Sequence, residues 1–131
     1  MKTPSLSVPP MPVGLRPEAI RNGSLLDISA AARQAAFTVP VAICVTLWEG
    51  LFGDEPFDPA DFRLVELAWF LRFALLRAGH WRTPKLGGLW RLLFGVAFDT
   101  ARGPCKTTVE ALSHRGDDGQ PVITLMRPRD G

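Results

Sequence analysis

The order of periodicities along the chain predicts an α+β domain, with short helices and one long central helix first and a three-stranded antiparallel β-meander last. Up to Ala78 apolar residues recur at three and four positions, the spacing of a helix face; from Trp90 onward they recur at every second position, the spacing of a half-buried strand. Residues 58–78 also carry marked start and stop signals for a helix nearly apolar all round, which makes them the element the rest must cover.

Residues 1–15 contain four prolines and no long apolar run, so an irregular arm is expected rather than a signal peptide, with one domain over 16–131. Residues 16–21 read as one helical turn with Pro17 at its start, closed by the turn pair Asn22-Gly23. Leu25 and Leu26 anchor it to the core. Asp27 or Ser29 caps a second helix over residues 29–36, whose alanines favour the helix and allow close packing. Residues 39–45 are apolar and β-branched, which suits a buried strand or the approach to a helix, but Pro40 speaks against a central strand. The preferred element here is a helical turn capped by Thr46, running through Leu47, Trp48, Leu51 and Phe52 to Gly53.

In the central helix Asp58 is the expected N-cap, Pro59 sits at the first helical position, and Gly79 follows as the terminator. Phe62, Val65, Trp69, Phe73 and Leu76 line one face; Leu64, Leu67, Ala68, Leu71 and Leu75 line the next. Only a stripe through Arg63, Glu66, Phe70 and Arg77 remains for water, so the helix is expected to be almost enclosed. Arg63, Glu66, Arg72 and Arg77 interrupt the apolar run too often for a membrane span.

Beyond the glycine- and proline-bearing loop 79–88, Trp90, Leu92, Phe94, Val96 and Phe98 alternate with a second set to give the first strand. A turn at Arg102-Gly103-Pro104 leads to a strand over 107–112, and Gly116-Asp117-Asp118-Gly119 is a hairpin signal before a third over 121–126.

At 131 residues and 47% apolar content the chain can bury a core without disulfides or metal. Its charge is +2, a weak pointer to polyanions, but its distribution is uneven. Glu49, Asp54, Glu55, Asp58 and Asp61 cluster just before the central helix, while Arg72, Arg77, Arg82, Lys85, Arg91, Arg102 and Lys106 follow. An acidic and a basic side are expected. Cys44 and Cys105 form no C-x-x-C or zinc pattern and read as free thiols of a reducing compartment.

Catalytic patterns are missing. His80 and His114 are the only histidines, too few for a metal site with the neighbouring Asp117 and Asp118, which suit a turn better. Cys105 with His114 is the one nucleophile and base combination, and Lys85 with Gly87-Gly88 lacks the order of a phosphate loop. No catalytic residue, metal or cofactor is assigned, and a non-enzymatic protein is expected.

Glu18-Ala19-Ile20 with Gly23-Ser24-Leu25-Leu26-Asp27, then Phe37, Pro40-Val41-Ala42-Ile43 and Trp48, and a closing run from Gly116 through Gly119-Gln120-Pro121-Val122-Ile123-Thr124-Leu125-Met126-Arg127-Pro128, resemble an uncharacterised small domain family carried by bacterial phages, plasmids and other mobile elements. The chain departs from that pattern at Ser24, where Val is expected, and at Cys44, where Thr is expected. The resemblance brings no reaction. It implies a setting: a cytoplasmic protein, in the bacterial host, that binds and inhibits a host complex, with defence systems such as CRISPR effectors among the candidates. Its partner contacts would be Asp54, Glu55, Asp58 and Asp61 on the acidic side, and charge reversal at Asp54 and Glu55 is expected to abolish capture at unchanged melting temperature. The alternative is a nucleic-acid-binding accessory protein using Arg77, Trp81, Arg82, Lys85 and Arg91, basic groups with an aromatic between them able to stack on an unpaired base. No membrane partner is expected; a second copy of the chain is a further candidate.

Overall fold

The computed structural model describes residues 16–78, 90–116 and 119–128. In chain order these form α1 (Arg16–Arg21), β1 (Leu25–Asp27), α2 (Ser29–Gln34), β2 (Val41–Cys44), α3 (Val45–Phe52), α4 (Phe62–Arg77), β3 (Trp90–Thr100), β4 (Gly103–Arg115) and β5 (Pro121–Met126). The arm and the loop after α4 lie outside the described residues.

The α+β class holds, but the sheet is larger than a meander. Five strands lie in the order β1-β2-β5-β4-β3, antiparallel except for the parallel pair β2 and β5, where Val41 faces Ile123 and Ile43 faces Leu125. The expected three strands are present as β3, β4 and β5. The two further strands are only three and four residues long; β1 is not expected from the sequence, and β2 is one of the two readings of residues 39–45, beside the helix that follows it as α3. Pro40 is no obstacle to β2, because it stands just before the strand and uses only its carbonyl, which accepts the Ile123 N–H at 3.0 Å.

Alternation in the strands sorts side chains onto two faces. Val41, Ile43, Phe94, Val96, Phe98, Val109, Ala111, Ile123 and Leu125 join Leu64, Leu67, Leu71 and Leu75 of α4 and Leu47, Leu51 and Phe52 of α3 in the main core. Each fully enclosed leucine there contributes roughly 2 kcal/mol by leaving water. On the opposite face α1 closes a small second cluster of Ala19, Leu25 and Ala42.

Helix boundaries moved for identifiable reasons. Asp58 does not cap α4; its side chain accepts the Ala60 N–H at 2.9 Å and its carbonyl the Asp61 N–H, making a separate turn. Asp61 is the N-cap and accepts the Arg63 N–H at 2.9 Å. Helix α2 stops at Gln34, with Ala36 in the left-handed region at φ +72° and the Phe37 N–H returning to the Ala32 carbonyl.

The expected near-enclosure of α4 is corrected. Phe62, Phe73 and Leu76, assigned to the core by their spacing, are 66%, 52% and 45% exposed, whereas Phe70 packs edge-on against Phe98 at 5.7 Å. The sheet and α2 cover one side of the helix, and among the described residues nothing covers the other. No helix in the described residues is long and apolar enough to cross a membrane.

Candidate interaction surface

At 100° per residue, Phe62, Glu66, Trp69, Phe73 and Leu76 fall in one line along the outward side of α4. Trp69 and Phe73 stack obliquely with ring centres 5.6 Å apart, and the Arg72 guanidinium lies 4.9 Å from the Trp69 ring centre, also within 3.5 Å of the carbonyl of Ala35, the residue that caps α2. The helix that carries the stripe is anchored from its inner side, where Leu64, Leu67, Leu71 and Leu75 are buried in the core. A line of large apolar groups on a four-turn helix is suited to lying in an apolar groove of another protein.

The four acidic candidates surround the start of this helix, in the loop between α3 and α4, but they play different parts. Arg63 donates to Glu55 Oε1 at 2.7 Å and to Asp61 Oδ2 at 2.7 Å, its Nη1 reaches the Asp99 carbonyl at 3.0 Å, and its guanidinium carbon lies 4.1 Å above the Phe52 ring centre. Glu55 also accepts the Ala101 N–H at 2.9 Å. The Arg63 hydrogen bond, and then the Ala101 N–H, hold the Glu55 carboxyl below its ordinary value; Asp61 is lowered first by its hydrogen bond to Arg63. The same two carboxylates raise the Arg63 guanidinium further above its already high value. Glu55 and Asp61 are therefore tied into the fold. Asp54 is exposed, and Asp58 is exposed with one carboxylate oxygen on Ala60, so these two carry the accessible negative charge.

The basic candidates are not gathered in the same way. Trp81, Arg82 and Lys85 lie outside the described residues. Arg77 is exposed at the end of α4, in the helix layer. Arg91 points from the opposite face of the sheet and donates through Nε to Glu110 at 2.6 Å, where the carboxylate is fully enclosed and the arginine 44% exposed. The sheet lies between the two.

Cys105 and His114 do not form a dyad. Both are on β4, nine positions apart, so they face opposite sides of the sheet and stand about 30 Å from each other along the strand. His114 Nε2 instead meets Thr124 Oγ1 at 2.8 Å. No group of three or more metal-ligating side chains is found among the described residues.

Comparison with protein-family models, with curated proteins and with solved structures gives no match to this chain. The surface thus stands on its own chemistry. Sequence reading named the acidic end and the face that carries the aromatic stripe beside it, but assigned that face to the core. A usable signal was present: with apolar residues on both faces of the helix, one layer of neighbours was bound to leave one of the faces open.

Proposed function

We propose that this chain acts by binding another protein through the outward face of α4, not by catalysis. The observation that carries the reading is the line of exposed Phe62, Phe73 and Leu76, with half-buried Trp69 among them, on a helix whose other side is packed into the core. A fitting partner offers an apolar groove for that line and basic groups at the end that meets Asp54 and Asp58. The resemblance to mobile-element proteins adds the setting, in which the partner is a complex of the bacterial host, a defence complex among them, and binding inhibits it.

The test is affinity capture from nuclease-treated bacterial lysate with the wild-type chain, a Phe62→Ser/Phe73→Ser variant and an Asp54→Lys variant. A stoichiometric protein retained by the wild type, lost with the serine variant and weakened by the lysine supports the reading. Retention unaffected by the serine substitutions removes α4 from the contact. Retention of nucleic acid alone, in a sample spared nuclease and washed out by salt, would overturn the reading in favour of the basic segment.

A further inference from the structure

Strand β4 has a strand on both sides over only part of its length. Its ladder to β5 runs from Arg115 opposite Pro121 to Glu110 opposite Met126 and stops, while its ladder to β3 continues to Gly103. The sequence supplies the reason for the stop. Continued, the register would set Pro128 opposite Thr108, and proline has no N–H to give. Lys106, Thr107 and Thr108 are exposed in succession, so this part of β4 is open on both faces.

In antiparallel pairing, successive residues turn their backbone groups to opposite neighbours. The Gly116 N–H donates to the Gln120 carbonyl at 2.8 Å, so Glu110, Leu112 and His114 bond β5, and the same alternation turns the N–H and C=O groups of Thr108 and Lys106 to the place where β5 has ended. Among the described residues no backbone bond reaches them there. A groove of about 490 Å³ occupies that place, the size of an ordinary ligand cleft, between Thr107 and Thr108 of β4 and Leu47 and Gly50 of α3, with Leu93 and Arg127 also in its wall. A Cβ on Gly50 would stand 3.8 Å from Arg127 Cδ, so the arginine stem lies along α3. Arg127 is exposed, and no carboxylate pairs with it among the described residues.

We propose that this groove takes an extended acidic segment of a partner protein, which adds a strand to β4 where β5 has ended and brings a carboxylate to Arg127. The unpaired backbone groups of Thr108 and Lys106 supply the strand pairing, antiparallel because that ladder is the more stable per residue. The charges supply the acidic preference, with Arg127 at the wall and Lys106 on the strand itself. The pairing also sorts the partner's side chains. Residues bonded to Thr108 and Lys106 share the sheet face of Leu93, the face away from Phe94 and Val96 of the core, and Leu93 is 48% exposed, so these positions are apolar. The residues between them point to the face of Thr107 and Arg127, and these are acidic. The recognised pattern is thus an alternation of acidic and apolar residues. This groove lies apart from the outward face of α4, and neither contact needs the other.

The probe is the fluorescein-labelled peptide Gly-Ser-Glu-Val-Glu-Val-Glu-Val-Ser-Gly, titrated with the full chain and followed by anisotropy. Saturable binding is expected, with none for the same peptide carrying lysine in place of glutamate. N-methylation of the valines, whose N–H groups face β4, is expected to abolish binding, and N-methylation of the glutamates to leave it. That pair of peptides needs no variant of the chain. Arg127→Glu, an exposed change, is expected to weaken binding about tenfold or more at unchanged melting temperature, the loss of one charge-assisted hydrogen bond. Arg33→Glu on α2 and the Phe62→Ser/Phe73→Ser variant are expected to bind as the wild type does, which separates this groove from general charge attraction and from the contact on α4. No binding by the wild type, equal binding of the lysine peptide, binding indifferent to N-methylation of the valines, or an equal loss with Arg33→Glu would overturn the proposal.

Discussion

Arg63 and Glu55 meet at 2.7 Å across the loop that joins α3 to α4, and the other Glu55 oxygen holds the Ala101 N–H in the turn between β3 and β4. One carboxylate therefore ties the start of the long helix to the far tip of a hairpin 46 residues away. Arg63→Met keeps most of the stem but leaves Glu55 and Asp61 with backbone N–H donors only and no cation, and is expected to lower the denaturant midpoint. Glu55→Gln, which keeps an oxygen for Ala101, should cost less.

Acid should weaken the fold through this cluster. Glu55 and Asp61 both have carboxyls held below their ordinary values in the folded chain, so their contribution is present at neutral pH and is lost as pH falls below about 4, through the folded-state values. Denaturation midpoints followed from neutral pH downward are expected to fall there. In Arg63→Met the fall should be shallower, since the carboxyls lose the partner that lowers them.

Charge reversal at the acidic end must be split. Asp54→Lys changes an exposed side chain with no hydrogen bond among the described residues and should leave the melting temperature within error. Glu55→Lys puts two cations side by side at Arg63 and should lower it. The expectation that both reversals leave stability alone is thus corrected for Glu55, and only the Asp54 variant separates binding from folding.

The two sides of α4 should respond differently to truncation. Leu71 is fully enclosed, and Leu71→Ala is expected to cost about 2–5 kcal/mol by leaving a cavity. Phe73→Ala, at 52% exposure, should cost about 1 kcal/mol or less and reduce dye binding to exposed apolar surface. Equal losses at the two positions would mean that the outward stripe is covered.

Two backbone positions invite opposite changes. Ala36 is exposed at φ +72°, a conformation that costs a side-chain-bearing residue about 1 kcal/mol, so Ala36→Gly should raise stability by about that amount. Gly53 at φ +66° lies under the Arg102 guanidinium, whose atoms would come within 3.0–3.1 Å of a Cβ. Gly53→Ala should lower stability by about 1–3 kcal/mol. Thermal unfolding of the two variants checks both signs.

Local pattern was enough for the class of the fold, for the central helix to within a turn at its start, and for the three longer strands, because each is a run in which periodicity repeats several times. The same information was insufficient for β1 and β2. Three or four residues hold too few repeats to show a period, and their pairing to each other and to β5 is made by groups far apart in the chain. Asp58 and Asp61 illustrate the limit at one helix end: both are good caps by type, and only packing decides which one the helix uses.

The candidate surfaces divide along the same line. Composition placed acidic residues before the central helix and apolar residues nearly all around it, and these are properties of the chain alone. Which carboxylates stay accessible was decided by Arg63, which the fold brings against Glu55 and Asp61 while leaving Asp54 outside. Which apolar face stays in water was decided by the layer count: a single sheet and α2 cover one side of α4, and hydrophobicity does not say on which side the neighbours will lie.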